Sequence, residues 1–210
     1  MRAFFAALAI GCSTAAAAAT NLLPNGNFDS AQDPALLESG GGCGGCISSG
    51  WWTLQAEAYG AGWIGWQPAD DANGAADSGA LAFSTDADGD PATARSECFA
   101  VPAGGAASVG GKYRITADAG GAQSATAPFV FTFACTVHSA GCGSPAVATL
   151  APQTGFSGTW AAMTPAEITL PAAARSADCA LYLAGVQAAA VEVDDLFFTA
   201  DFIQHDGFEP

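Results

Sequence analysis

Residue types that commonly carry out catalysis are scarce in this chain of 210 residues, which contains only two histidines, His138 and His205. A serine triad would depend on His138 alone, because His205 stands in the last stretch before the C-terminus. Around Ser157, the segment Gly-Phe-Ser-Gly-Thr lacks the final glycine of a nucleophile elbow. We therefore predict no catalytic residue, and we expect that the protein is not an enzyme.

Glu192 and Asp194 are the carboxylates whose spacing best suits acid–base chemistry, because residues two apart in a strand share one face. Glycoside hydrolysis uses two carboxylates, one as the acid and the other as the base or nucleophile. No third acidic residue supports this pair. A small glycan-active hydrolase is therefore the least favoured interpretation.

Cys43 and Cys46 are separated by two glycines, which is the spacing of a redox motif. No strand–helix context surrounds them, so this function is not indicated. Zinc is also not indicated, because no second cysteine pair and no histidine pair accompanies them. The two cysteines are better interpreted as a local disulfide or as partners of cysteines elsewhere.

The N-terminus has the pattern of an export signal. Arg2 precedes an apolar run, and small alanines follow before residue 20. This pattern is typical of a secretory signal peptide, here assigned to residues 1–19, and the run is too short to span a membrane. A lipoprotein signal that would lipidate Cys12 is the minor alternative. The expected location is extracellular or periplasmic.

Cysteine content and charge agree with export. Of the seven cysteines, six lie outside the signal segment, and an even number in an exported chain suggests disulfides. Six cysteines allow 15 pairings. The formal net charge is −15, and Lys112 is the sole lysine. This charge argues against nucleic acid and anionic membrane surfaces as partners. No segment outside the signal is apolar enough for a transmembrane helix.

Alternating hydrophobic residues predict strands and almost no helix. Tyr113 and Ile115 share one parity between Lys112 and Arg114, and a second set is formed by Phe129, Phe131, Phe133, Cys135 and Val137. A third set is formed by Cys179, Leu181 and Leu183. Clusters of Gly, Pro, Asp, Asn and Ser separate these runs. The fold class is therefore expected to be all-β, an antiparallel β-sandwich or jelly roll.

Five short segments in order resemble carbohydrate-binding modules of the family four and family nine type. They are Asn-Leu-Leu-Pro-Asn-Gly-Asn-Phe-Asp at residues 21–29, Ser-Gly-Trp at 49–51, the stretch from Ser96 to Ile115, Gly-Thr-Trp at 158–160, and Val-Glu-Val-Asp-Asp-Leu at 191–196. The resemblance implies a galactose-binding-like jelly roll over residues 20–199, with residues 200–210 as a C-terminal tail. Residues 21–29 and 191–198 would be its first and last strands.

The resemblance also implies a structural calcium that ties the first strand to the last. The matching carboxylates are Asp29 and Asp194, and calcium favours several oxygen ligands at once. A turn-capping role for Asp29 is the alternative. The resemblance further implies the disulfide pairs Cys98–Cys142 and Cys135–Cys179, which leave Cys43 with Cys46. A Cys135–Cys142 bond is the main alternative.

Aromatic residues crowd one stretch of the sequence and suggest where a sugar would bind. Aromatic rings stack on the apolar faces of sugars, but tryptophan also serves cores. Trp51 and Trp160 match core positions of the resembled family. Trp52 has the opposite parity to Trp51, which predicts an outward side chain. The expected ligand-binding residues are Trp52, Tyr59, Trp63, Trp66 and Gln67.

The predicted function is binding of a polysaccharide or cell-surface glycan by a secreted, non-catalytic module. The alternative is a structural or adhesive surface sandwich without a sugar site.

Overall fold

The fold was analysed in a computed structural model. It describes residues 20–29, 46–47, 52–56, 63–68, 70–75, 78–84, 92–117, 129–155, 157–185 and 190–201. None of these residues forms a helix that is long and apolar enough to cross a membrane. The segments 1–19 and 202–210, predicted as signal peptide and most of the tail, lie outside the described residues.

Antiparallel strands make up all of the regular structure in the described residues. In chain order they are β1 (Cys46–Ile47), β2 (Trp52–Ala56), β3 (Trp63–Pro68), β4 (Gly79–Ser84), β5 (Ala92–Ser96), β6 (Phe99–Ala100), β7 (Ala106–Ala117), β8 (Phe129–His138), β9 (Ala146–Leu150), β10 (Ala161–Ala162), β11 (Ala166–Thr169), β12 (Ser176–Gly185) and β13 (Ala190–Ala200).

Two sheets pack face to face as a β-sandwich. The seven-stranded sheet has the order β1-β2-β5-β12-β8-β9, with β6 also paired to β12. The six-stranded sheet has the order β10-β7-β13-β4-β3, with β11 also paired to β7. The predicted fold class, an antiparallel jelly roll, is confirmed. Many neighbours in each sheet are distant in sequence, which is typical of this topology.

The core lies between the sheets, and the predicted parity of the strands is confirmed. Tyr113 and Ile115 of β7 are buried, whereas Lys112 and Arg114 are half-buried on the opposite face. Other strands contribute core residues in the same alternating way, namely Phe133, Cys135 and Val137 of β8, Cys179, Leu181 and Leu183 of β12, and Val191 and Val193 of β13. Period-two alternation therefore predicts the buried face correctly.

Two of the implied disulfides are confirmed. Cys135 and Cys179 are directly opposite each other in β8 and β12, with Cα atoms 3.9 Å apart. The second bond joins Cys98 to Cys142. Each bond joins cysteines that are 44 residues apart in sequence, so each restricts the unfolded chain considerably. The proposed Cys43–Cys46 bond lies outside the described residues, because Cys43 and the Cys46 side chain are not included.

The N-terminal segment does not form the strand predicted for residues 21–29. Only Asn21 makes a ladder-type bridge, to Thr199 of β13, and the chain then turns. Asn25 and Phe28 have positive φ angles of 45° and 48°, which a strand does not allow. The prediction of a first strand is therefore wrong beyond Asn21, although Asn21 itself does pair with the last strand, β13.

Asn21 attaches the N-terminal segment to β13 through side-chain hydrogen bonds. Its Nδ2 donates to the Leu196 carbonyl at 2.9 Å, and its Oδ1 accepts from the amides of Leu23 and Phe198, each at 3.0 Å. The Leu196 amide donates to the Gly26 carbonyl at 2.7 Å. A Cβ at Gly26 would collide with the Leu196 carbonyl, so only glycine allows this close approach.

His138, at the end of β8, forms a buried pair with Asp178 of β12. Its Nε2 lies 2.7 Å from the Asp178 Oδ1, and its Nδ1 lies 2.9 Å from the Ser144 carbonyl oxygen. These two acceptors, the Ser144 carbonyl foremost, raise the pKa of His138 above its ordinary value. The imidazolium, with two N–H donors, is therefore the form that fits this site.

Replacing Asn21 by alanine should lower the free energy of unfolding by about 1–2 kcal/mol, because three hydrogen bonds to the backbone are lost. Asn21→Asp keeps the acceptor and loses the donor, so it should lie between wild type and Asn21→Ala. Urea unfolding followed by circular dichroism measures both. Two variants as stable as the wild type would refute the anchoring role of Asn21.

The His138 pair predicts a pH dependence of stability. A histidine whose pKa is raised in the folded state stabilises the protein below the unfolded pKa of about 6.5, and this stabilisation is lost as pH rises through the folded value. The wild type should therefore lose stability relative to His138→Gln as the pH rises above the unfolded pKa of about 6.5. Urea unfolding at a series of pH values tests this, and parallel profiles would contradict it.

Candidate functional site

Asp70, Arg114, Trp160 and Glu192, here called the Arg114 cluster, form a polar site on the outer face of the six-stranded sheet. Arg114 of β7 is directly opposite Glu192 of β13. Its Nε donates to the Glu192 carboxylate and its Nη2 to the Asp70 carboxylate. Its guanidinium carbon lies 4.9 Å from the centroid of the Trp160 ring. One cation therefore holds two acids and an indole together.

The members of the Arg114 cluster are partly open to solvent. The exposed fractions of the Arg114, Asp70 and Glu192 side chains are 24%, 33% and 12%. The hydrogen bond to Glu192 is the main cause that raises the pKa of Arg114, so the guanidinium stays charged. Planar donors, carboxylate acceptors and an indole are the groups that can bind hydroxyls and the apolar face of a sugar.

Trp160 differs from the core position predicted for it. The residue is only half-buried, between Arg114 and the strands. Its Nε1 is buried and has no hydrogen-bond partner among the described residues. Buried polar atoms without partners are uncommon in folded proteins.

A tight turn over residues 71–75 lies beside the Arg114 cluster. The Asp71 Oδ1 accepts from the amides of Asn73 and Ala75 at 2.6 and 2.8 Å, and the Ala75 amide foremost lowers the pKa of Asp71. The Asn73 Nδ2 donates to the Asp195 carboxylate at 2.7 Å, and the Lys112 Nζ lies 2.9 Å from the same Oδ2. The turn is thereby attached to β7 and β13.

Asp194 is the most deeply buried carboxylate among the described residues, with 0% exposure. Its Oδ2 accepts from the Ala72 amide at 2.8 Å and its Oδ1 from the Asp195 amide at 2.6 Å. Burial raises the pKa of Asp194 to about 7 despite these bonds. In the described part of the chain, no cationic side chain lies within 4.0 Å of it. Lys112, directly opposite Asp194 on β7, places its Nζ on the Asp195 carboxylate instead.

Asp29, the second carboxylate predicted for calcium, is exposed and accepts from the Asn27 Nδ2. The segment that carries it contacts the segment that carries Asp194, through the Leu196–Gly26 hydrogen bond. These segments carry the Gly26 and Leu196 carbonyls, and calcium uses such oxygens together with carboxylates. The residue types present fit a calcium ion.

Another group of potential metal ligands lies at the far end of β8. One ligand atom each from His138, Cys142 and Asp178 lies within 4.8 Å of the others. It is the one group of three or more such side chains in the described residues. His138 and Cys142 are four residues apart in sequence, whereas Asp178 joins them only through the pairing of β8 with β12.

The predicted aromatic binding residues do not form one surface. Trp52 is 1% exposed, so the prediction that it points outward is wrong. Its ring packs on Phe28 with centroids 5.7 Å apart, and its Nε1 donates to the Pro24 carbonyl at 3.3 Å. The N-terminal turn thus covers Trp52 and makes it a core residue.

The other predicted ligand-binding residues are placed differently. Trp63 and Trp66 lie in β3 and not in a loop, and their backbones pair with Ser84 and Leu81. Their side chains, like Tyr59, lie outside the described part of the structure. Gln67 is half-buried near the end of β3, shortly before Asp70. Because β2 and β3 belong to different sheets, the aromatic stretch is divided between them.

Sequence reasoning missed the Arg114 cluster. Its residues are spread from Asp70 to Glu192, and no single motif contains them. The outward parity of Arg114 in β7 was visible, but its partners depend on the pairing of β7 with β13. The available signal was Arg114 itself, one of five Lys and Arg residues in a chain with 20 Asp and Glu residues.

No protein-family model matches this sequence. A search of curated proteins found no match either.

Known structures do resemble the chain. The enzymatically active domain of tailspike protein 4 from bacteriophage CBA120 matches with a TM-score of 0.56 and 12% identity over 86% of this chain. The match spans only 21% of that protein, so the chain corresponds to about a fifth of it. TmCBM61, determined in complex with β-1,4-galactotriose, matches with a TM-score of 0.50 and 13% identity. That match covers 87% of this chain and 99% of the module. The chain therefore has the β-sandwich fold of carbohydrate-binding modules.

Proposed function

We propose that this protein is a non-catalytic module that binds a polysaccharide or a cell-surface glycan. The observation that carries this proposal is the Arg114 cluster, in which a guanidinium, two carboxylates and an indole stand together on one sheet face. Similarity over nearly the whole of a galactotriose-bound module supports it. Gln67 and Trp63, which have the same parity in β3, are proposed to extend this surface.

The carboxylates do not favour hydrolysis. Asp194 has 0% exposure and both of its oxygens accept backbone amides, so it is poorly placed to flank a glycosidic bond. The Glu192 carboxylate is already engaged by the Arg114 Nε, so it is not free to act on a glycosidic bond. A binding role therefore suits this pair better than catalysis.

Calcium is proposed as a structural cofactor at Asp29 and Asp194. The support is the buried Asp194 carboxylate without a nearby cation in the described residues, on a segment that contacts the one that carries Asp29. A calcium ion bound there would neutralise the buried charge and attach the N-terminal segment to β13.

An extracellular or periplasmic location is proposed for the mature domain, after removal of residues 1–19. Two disulfides support it, because such bonds persist in oxidising compartments.

The glycan proposal predicts that Arg114→Ala weakens binding by at least about tenfold, or ~1.4 kcal/mol, because the cluster loses the group that holds it together. The probes are β-1,4-galactotriose in isothermal titration calorimetry and a glycan array for other sugars. Lys112→Ala is the matched control, since it removes an equal charge two residues away on the same strand face. It should change affinity by less than about threefold.

A different pattern would contradict this site. Tyr182, an exposed aromatic residue at 39% on the seven-stranded sheet, offers the comparison. Loss of binding in Tyr182→Ala but not in Arg114→Ala would place the ligand on the other sheet. Absence of any bound glycan would favour a structural or adhesive module.

The calcium proposal predicts that calcium raises the melting temperature of the chelator-treated protein. Calcium at 100 times its dissociation constant would add about 2.7 kcal/mol to the free energy of unfolding. Asp194→Asn should abolish this increase, and Asp195→Asn, a neighbouring acid that is not a proposed ligand, should retain most of it. Differential scanning calorimetry with and without calcium measures the effect. An unchanged melting temperature in the wild type would disprove the site.

A further inference from the structure

The two described disulfides differ in their access to solvent. Cys135 and Cys179 are both 0% exposed within the sandwich. Cys98 is exposed and Cys142 is half-buried, in loops at one end of the sheets. A reductant in solution can therefore reach Cys98–Cys142 while Cys135–Cys179 stays protected. Opening the accessible bond leaves β8 and β12 joined by the buried one.

Cys142 lies beside two buried polar side chains. His138 and Asp178 are each 8% exposed, and one ligand atom from each of the three residues lies within 4.8 Å of the others. A thiolate, an imidazole and a carboxylate are the ligand types that zinc takes in proteins. In the disulfide form the sulfur is bonded to Cys98 and is not a thiolate.

The imidazole of His138 is held in a suitable orientation for a metal. Its Nδ1 is 2.9 Å from the Ser144 carbonyl, which requires a hydrogen on that nitrogen. This leaves Nε2, the nitrogen 2.7 Å from Asp178, as the ligand atom. A backbone carbonyl that fixes the second nitrogen of a metal-binding histidine is a common outer-sphere contact.

We propose that reduction of the Cys98–Cys142 disulfide creates a Zn²⁺ site formed by Cys142 Sγ, His138 Nε2 and the Asp178 carboxylate. This site is separate from the proposed glycan and calcium sites. A water molecule takes the fourth position of a tetrahedral zinc ion.

Reduction of the disulfide and binding of zinc conserve electrons and protons. A dithiol supplies two electrons and two protons, the S–S bond breaks to give two thiols, and the dithiol becomes a disulfide. Zinc then displaces the thiol proton of Cys142 and the Nε2 proton of His138, and both protons go to solvent. The thiolate and the Asp178 carboxylate together neutralise the charge of Zn²⁺.

The distances allow this change with small side-chain movements. Ligand atoms of tetrahedral zinc are roughly 3.3–3.6 Å apart, given zinc–ligand bonds of about 2.0–2.3 Å. The His138–Asp178 distance of 2.7 Å must widen, and the sulfur must approach from within 4.8 Å. Arg95, whose Nη1 is 3.5 Å from the second Asp178 oxygen, is 69% exposed and free to move away.

The test uses the full chain with Cys12, Cys43 and Cys46 replaced by serine, so that reduction of the exposed bond releases only the Cys98 and Cys142 thiols. A water-soluble phosphine reduces the protein and is then removed under argon, because a dithiol would itself bind zinc. The phosphine becomes its oxide with an oxygen from water. Isothermal titration with ZnCl₂ and absorption spectroscopy with CoCl₂ then compare the oxidised and reduced forms.

The reduced form should bind one Zn²⁺ at least about tenfold more tightly than the oxidised form. Its Co²⁺ complex should show a thiolate-to-cobalt charge-transfer band that the oxidised form lacks. The Cys98→Ser variant should bind without any reduction, since its Cys142 is always a free thiol. Cys142→Ser, which leaves Cys98 free instead, is the matched control and should not show the band.

Ligand variants decide which residues take part. His138→Gln and Asp178→Asn, each combined with Cys98→Ser, should weaken Zn²⁺ binding by at least about tenfold. Unchanged affinity in either variant, equal affinity of the oxidised and reduced forms, or a cobalt band in Cys142→Ser would overturn the proposal. Circular dichroism checks folding, and if Cys98→Ser does not fold, the reduced form without that substitution decides.

Discussion

The rest of the structure depends on an interruption in β13. The register between β13 and β7 shifts between Asp194 and Phe197, and Asp195 has a positive φ of 49°. A bulge leaves backbone groups without ladder partners. Here the N-terminal segment supplies them, through Asn21 and the Gly26 carbonyl at Leu196. One irregularity in the last strand thus anchors the start of the domain and closes the sandwich.

The same interruption shapes the chemistry of the six-stranded sheet. Asp194, opposite Lys112 at the start of the bulge, accepts from the Ala72 amide, and Asp195 within the bulge contacts Lys112. Just before the bulge the ladder is regular, and Glu192 stands opposite Arg114. The buried Asp194 and the Glu192 of the Arg114 cluster are therefore neighbours on β13. A structural role is proposed for Asp194 and ligand binding for the Arg114 cluster.

The seven-stranded sheet has a separate polar network around His138. His138 bridges the Ser144 carbonyl and Asp178, and the exposed Cys98–Cys142 bond lies beside it. The buried Cys135–Cys179 bond joins β8 and β12 within the seven-stranded sheet, so these strands stay linked when the outer bond opens. That difference makes the outer bond free to respond to reduction while the sandwich persists.

The sequence by itself determined the fold class and the buried faces, because alternation in β7, β8 and β12 depends only on neighbouring residues. The resemblance to a known family added the two disulfide pairs. Only the tertiary structure decided which aromatic residues are buried. Trp52 packs against Phe28, and the half-buried Trp160 contacts the Arg114 guanidinium. The Arg114 and His138 sites combine residues that are far apart in sequence. Strand register, the β13 bulge and loop packing set the positions of these residues, and all three form only in the complete sandwich.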